Sequence, residues 1–191
     1  MGDAQNDLNQ AAQLPEGDVV AILLEQHARI RALFGKVKET HGEARQKTFD
    51  ELRALLAVHE TAEEMILRPV AADTAGKAEA DARNEEEAEA NKVLAELEKM
   101  DVDSAEFSRQ VEDFEAAVLE HAEHEEQEEF PAVRAGCSEE QLRKMGNRLR
   151  SVERMAPTHP HPTAAGSTAA QWLTGPFASM VDRTRDALSK S

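Results

Sequence analysis

A histidine and a glutamate four residues apart, set inside an apolar helical stripe, occur twice in this chain and restrict its fold more than any other feature. His59-x-x-x-Glu63 is followed by Pro69, ten residues after the histidine, and His121-x-x-x-Glu125 by Pro131 at the same offset. Residues four apart share one face of an α-helix, so each imidazole and carboxylate reach toward a common place. Upstream of each pair one further polar residue lies on an apolar stripe: His27, 32 residues before His59, and Glu87, 34 residues before His121. The chain thus reads as two similar helical hairpins, each turning three polar residues inward.

The surrounding pattern supplies the helices. Asp18 caps a first helix reaching about Glu39, with Val20, Leu23, Ile30, Phe34 and Val37 on its stripe. A second runs from about Ala44 to Arg68, where Pro69 is expected to stop it, and a third from about Lys77 to Met100. The fourth spans about Ala105 to Phe130, with Pro131 expected to break it. Short connections between long helices predict an all-α, up-down-up-down four-helix bundle over residues 18–135. Residues 1–17 lack periodicity and read as a flexible N-terminal arm. In the C-terminal extension, 136–191, Ser138 and Gln141 form a capping-box pattern for a helix to about Arg154, followed by a proline-rich linker and a short last helix from Pro176.

Composition excludes several functions. The chain has no Tyr and a formal net charge of −16, so it should repel nucleic-acid backbones and anionic membrane surfaces, and a tyrosyl radical is ruled out. No apolar run approaches the roughly 18 residues of a spanning helix, and the N-terminus lacks the basic and apolar parts of a signal peptide, which makes a cytoplasmic protein the expectation. Cys137 is the only cysteine, so any metal must be held by histidine and carboxylate, and the thiol itself reads as a small buried residue.

A lone His-x-x-x-Glu on a helix is usually a solvated ion pair. Placing His59, Glu63, Glu87, His121 and Glu125 at core positions is different, because burying ionised groups without partners costs several kcal/mol each, whereas bound cations neutralise them. His124 lies beside the stripe, and of Glu85, Glu86 and Glu87 only the last points inward, the others reading as solvated. His159 and His161 read as part of a solvated linker.

The stretches "LLEQHARIRALF" with His27, "HETAEEMILRP" with His59, Glu60 and Glu63, and "HAEHEEQEEFP" with His121 and Glu125 resemble the hemerythrin-like, or HHE cation-binding, family from about Asp18 to Arg134. The resemblance implies a centre of two iron ions (Fe2+/Fe3+), oxo- or hydroxo- and carboxylate-bridged, meeting dioxygen, peroxide or nitric oxide. It makes His27, His59 and His121 terminal ligands and Glu63 and Glu125 bridges. Glu60 and His124 are secondary candidates. Where the family usually has a third-helix histidine this chain has Glu87, which is either a carboxylate ligand or leaves one position open. Anionic oxygen ligands favour ferric iron, so catalase- or peroxidase-like turnover of peroxide, or handling of nitric oxide, is expected ahead of oxygen carriage. An iron-binding sensor or store without turnover, and a metal-free helical scaffold, are the alternatives.

Overall fold

The computed structural model describes residues 4–153, and every regular element among them is helical. A short helix α1 (Ala4–Ala11) leads to α2 (Val19–Glu39). α3 (Gly42–Ala62) continues through a π-helical turn (Glu63–Leu67) into α4 (Arg68–Thr74), and α5 (Lys77–Leu97) follows. α6 (Ala105–His124) likewise continues through a π-helical turn (Glu125–Glu129) into α7 (Phe130–Gly136), and α8 (Glu139–Glu153) ends the described chain.

Local chemistry fixes the helix starts. The Asp18 carboxylate accepts from the Val20 N–H at 2.9 Å, and the Ser104 hydroxyl from the Phe107 N–H at 3.0 Å. Ser138 and Gln141 form the reciprocal box, Gln141 Oε1 accepting from the Ser138 N–H at 2.8 Å and Ser138 Oγ from the Gln141 N–H at 3.3 Å. Gly76, with φ of 107°, turns the chain from α4 into α5 in a conformation that side chains resist.

Neither proline ends its helix. Pro69 and Pro131 sit in the first turn of α4 and α7, directly after the π-helical turns, in which the Arg68 N–H bonds to the Glu63 carbonyl and the Phe130 N–H to the Glu125 carbonyl. The widened turn supplies the room that a pyrrolidine ring lacks in a regular α-helix, so the expected stops at Arg68 and Phe130 give way to continuation as far as Thr74 and Gly136. The flexible arm is also corrected, because α1 is held on α2. Its Asp7 is fully buried and accepts from Arg31 Nε at 2.8 Å, while Ala11 joins the core. An anchor made of one ion pair and one alanine leaves no apolar stripe to be read from sequence. The linker, His159, His161 and the last helix of the sequence reading lie outside the described residues.

Two apolar clusters build the interior. One gathers Val20, Leu23 and Leu24 of α2 with Leu67, Ala71, Phe130, Val133 and, from α8, Leu142, Met145 and Leu149. The other gathers Ile30, Phe34, Phe49, Leu52, Leu56, Leu94, Phe107, Phe114 and Val118. Along α2, α3 and α6 the polar core residues fall between the two: His27 between Leu24 and Ile30, His59 between Leu56 and Leu67, His121 between Val118 and Phe130. α8 packs on α2 and α3, so the C-terminal extension begins as part of the core. No helix among the described residues is long and apolar enough to cross a membrane.

Candidate metal centre

Six buried or nearly buried side chains converge between the two apolar clusters. His27, His59, Glu63 and Glu125 form one group, and Glu63, Glu87, His121 and Glu125 a second; within each, one potential ligand atom per residue lies within 4.8 Å of the others. Glu63 and Glu125 belong to both. They are the first residues of the two π-helical turns, one turn beyond His59 and His121, so each imidazole faces its own carboxylate: His59 Nε2 is 3.4 Å from Glu63 Oε2, and His121 Nε2 is 3.2 Å from Glu125 Oε1.

Each imidazole is oriented by an acceptor on its outer nitrogen. His59 Nδ1 lies 2.8 Å from Gln26 Oε1, whose own Nε2 donates to Glu153 of α8 at 2.6 Å, so His59 Nδ1 is the donor. His27 Nδ1 donates to Glu126 Oε1 at 2.7 Å, and His121 Nδ1 to Glu86 Oε2 at 2.8 Å. With Nδ1 of each ring engaged from outside, all three Nε2 atoms face the interior, the arrangement that prepares an imidazole for a metal once His27 and His121 shed the protons their carboxylate neighbours hold there. His27 Nε2 and His59 Nε2 stand 3.2 Å apart, a separation bridged by a proton on His27 in the metal-free protein and open to a metal cation in its place.

The charge balance makes the same demand. Glu63, Glu87, Glu125 and Glu129 are each 2% exposed or less, and the cation shared among them is the guanidinium of Arg68. Both oxygens of Glu63, Oε2 of Glu87, Oε2 of Glu125 and Nε2 of His121 are buried without a hydrogen-bond partner. Burial, with the charge of Glu125 beside it, pushes the Glu63 carboxyl well above the usual range, and burial likewise raises Glu87. Burial opposes the charge of Glu125 too, but His121 and His27 outweigh it and hold this carboxyl well down. Burial and the neighbouring His27 keep His59 neutral, its proton affinity well below normal. For His27 and His121, burial is outweighed by the adjacent carboxylates and the imidazoles hold protons more tightly than usual. Open imidazole and carboxylate atoms on an over-acidic buried cluster are a donor set that fits two divalent cations.

The secondary candidates stand apart from both groups. Glu60 is half-buried and accepts from Asn91 Nδ2 at 2.6 Å, and His124 is 38% exposed with Nδ1 3.2 Å from Glu86. Glu86, read as solvated, instead holds both His121 and His124. Sequence reasoning missed Gln26, Glu126 and Glu86 as orienting groups, and Arg68 and Glu129 altogether. Arg68 had a signal: it precedes Pro69 as the buried Phe130 precedes Pro131, so a charge stands where the repeat has a core aromatic. Glu129 had none that separates it from its acidic run.

The comparisons agree with this reading of the architecture. The family model described as Hemerythrin HHE cation binding domain matches residues 18–133. An uncharacterised hemerythrin-like protein of Schizosaccharomyces pombe is 25% identical over 138 residues, covering 71% of this chain and 68% of that protein. A DNA nickase of a Nostoc species is 20% identical over 153 residues, 80% of this chain but 44% of the nickase. In fold, the chain is similar to the crystal structure of a hemerythrin HHE cation-binding domain-containing protein from Mycobacterium kansasii, with a TM-score of 0.64 at 21% identity over 88% of this chain and 98% of that one. The chain belongs to the hemerythrin HHE cation-binding domain family.

Proposed function

We propose that the protein is a non-haem di-iron protein whose four long helical stretches form an up-down-up-down bundle and whose metal pair reacts with dioxygen, peroxide or nitric oxide, with turnover of peroxide or nitric oxide ahead of oxygen carriage. The observation that carries the reading is the pair of His/carboxylate groups sharing Glu63 and Glu125, with Nδ1 of every imidazole engaged by an outer acceptor and Nε2 facing inward. On this reading His27 and His59 would hold one iron and His121 and Glu87 the other, with Glu63 and Glu125, members of both groups, available to each. Bound iron would supply Lewis acidity and redox equivalents.

The protein's own residues do the rest. Gln26, Glu126 and Glu86 fix the imidazoles, so binding costs little reorganisation. Glu63, Glu87 and Glu125 give an oxygen-rich, anionic ligand set that favours the oxidised metal over reversible oxygen carriage. A cavity of about 320 Å³ reaches His27, His59 and His121 along Ile30, Leu56, Val93, Phe114 and Val118. An apolar approach of this kind admits small uncharged molecules, while the acidic side chains along it, Glu86, Glu89, Asp113 and Glu120, repel anions. Nicking of DNA is not part of the proposal, since a chain of net charge −16 repels a phosphate backbone.

The test is anaerobic reconstitution with ferrous iron, followed by metal analysis, exposure to air, and separate assays of peroxide and nitric oxide consumption, beside a His59→Ala/His121→Ala double variant. Two irons per chain, with turnover that the double variant lacks, support the proposal. Absence of stoichiometric metal sinks it and favours a scaffold; stoichiometric iron with no turnover favours a sensor or store.

A further inference from the structure

Arg68 is only 5% exposed and pairs with three of the four residues of the second group, Glu87 most tightly, against the two shared carboxylates of the first. Its Nη2 donates to Glu87 Oε1, lies 3.1 Å from Glu125 Oε1 and 3.8 Å from Glu63 Oε2. Those are three of the four residues of the group completed by His121. The group built on His27 and His59 includes Glu63 and Glu125 as well, but the guanidinium hydrogen-bonds to carboxylates and its charge is only a minor influence on His59, while Glu125 turns its other oxygen, Oε2, toward His27 at 3.4 Å. Nη1 of Arg68 donates to Glu129, a carboxylate that belongs to neither group. A fixed positive charge therefore stands in the carboxylate half of one position and outside the imidazole half of the other.

The geometry points to a built-in inequality between the two metal positions, with Arg68 as the positioning residue that sets it. This rests on the metal-centre reading above. The His27/His59 position offers two oriented imidazoles, neither of its histidines a partner of the guanidinium, and fills first. The His121/Glu87 position fills only when Glu87 exchanges the guanidinium for a metal, and the incoming dication must then sit beside a guanidinium that cannot lose its proton. Glu129 keeps Arg68 partnered through that exchange, which is why this buried acid sits outside the ligand groups. Between the two binding thresholds the protein holds one metal, so full assembly of the centre depends on metal supply.

Cobalt(II) tests this without turnover, since binding is read by calorimetry and by its visible absorption. The wild-type protein should bind two cobalt ions with dissociation constants separated by at least about tenfold. His121→Ala should remove the weaker step and leave the tighter one. Arg68→Met, of similar length and uncharged, should tighten the weaker step and bring the two together. Glu129→Gln, which makes Arg68 lean harder on Glu87, should weaken it further and serves if Arg68→Met does not fold. Two equal steps in the wild-type protein, or a separation unmoved by either substitution in folded protein, would overturn the inference while leaving the metal centre standing. Failure to bind cobalt at all overturns both.

Discussion

Glu63→Gln should move stability in opposite directions with and without metal. In the metal-free protein Glu63 is fully buried, neither carboxylate oxygen has a hydrogen-bond partner, the neutral His59 Nε2 lies 3.4 Å away and the guanidinium of Arg68 3.8 Å away. An unsatisfied buried polar group costs about 1–3 kcal/mol. Glutamine keeps the shape, removes the charge, and can donate its amide N–H to the lone pair of His59 Nε2. A gain of about 1–2 kcal/mol at pH 8 follows, which in a chain of this size raises Tm by roughly 2–8 °C. Because Glu63 belongs to both groups, the same substitution should remove most of the stabilisation by metal. At 100 times its dissociation constant each ion adds about 2.7 kcal/mol, so two ions raise the wild-type Tm by roughly 10–20 °C. Thermal unfolding followed by circular dichroism, with chelator and then with excess metal, measures both effects. A Glu63→Gln protein that melts lower than wild type without metal, or that keeps the full metal-induced rise, would refute the reasoning.

Three further predictions concern the same structure. Glu63, Glu87 and Glu129, the last pushed up to about 7 by burial, and His27 and His121 all bind protons more tightly in the folded chain than in the unfolded one. Their stabilising contributions are present at low pH and fade as pH rises, beginning above the ordinary carboxylate range for the glutamates and above that of histidine for the imidazoles, so Tm of the metal-free protein should fall between pH 6 and 8. The rise in Tm on adding metal should grow over that interval, because ligands shed protons to bind; an increment that shrinks with pH would contradict this. Asp7→Asn takes the carboxylate from Arg31, which also contacts Glu126, the acceptor of His27. A loss of about 1–3 kcal/mol by denaturant unfolding is expected, and no loss would show that α1 is not held by this pair. In Gly146→Ala, the added Cβ would overlap the Gly17 carbonyl oxygen where α8 passes the start of α2; about 1–3 kcal/mol should be lost, read as an earlier urea midpoint.

Much of the centre was legible because it breaks a local rule. His27, His59, Glu63, Glu87, His121 and Glu125 stand on apolar stripes, and helical period alone fixes which face they share, so the six residues that the fold brings together could be picked from the sequence. The helices they occupy were legible for the same reason, as were the caps at Asp18 and Ser138, whose chemistry acts within a few residues.

What the sequence left open was settled by contacts between distant segments. Pro69 and Pro131 carry the same local message as any helix-breaking proline; only the packed π-helical turns ahead of them let the chain run on. α1 depends on an ion pair 24 residues apart, and α8 reaches the site through Glu153 and Gln26, 127 residues apart. Arg68 looks like one basic side chain among many until tertiary structure buries it among Glu63, Glu87, Glu125 and Glu129. Sequence by itself determined which side chains are out of place in an apolar core, since that follows from period and polarity. Which of those charges meet one another was decided only by packing, because electrostatic partnership depends on distances that local pattern does not contain.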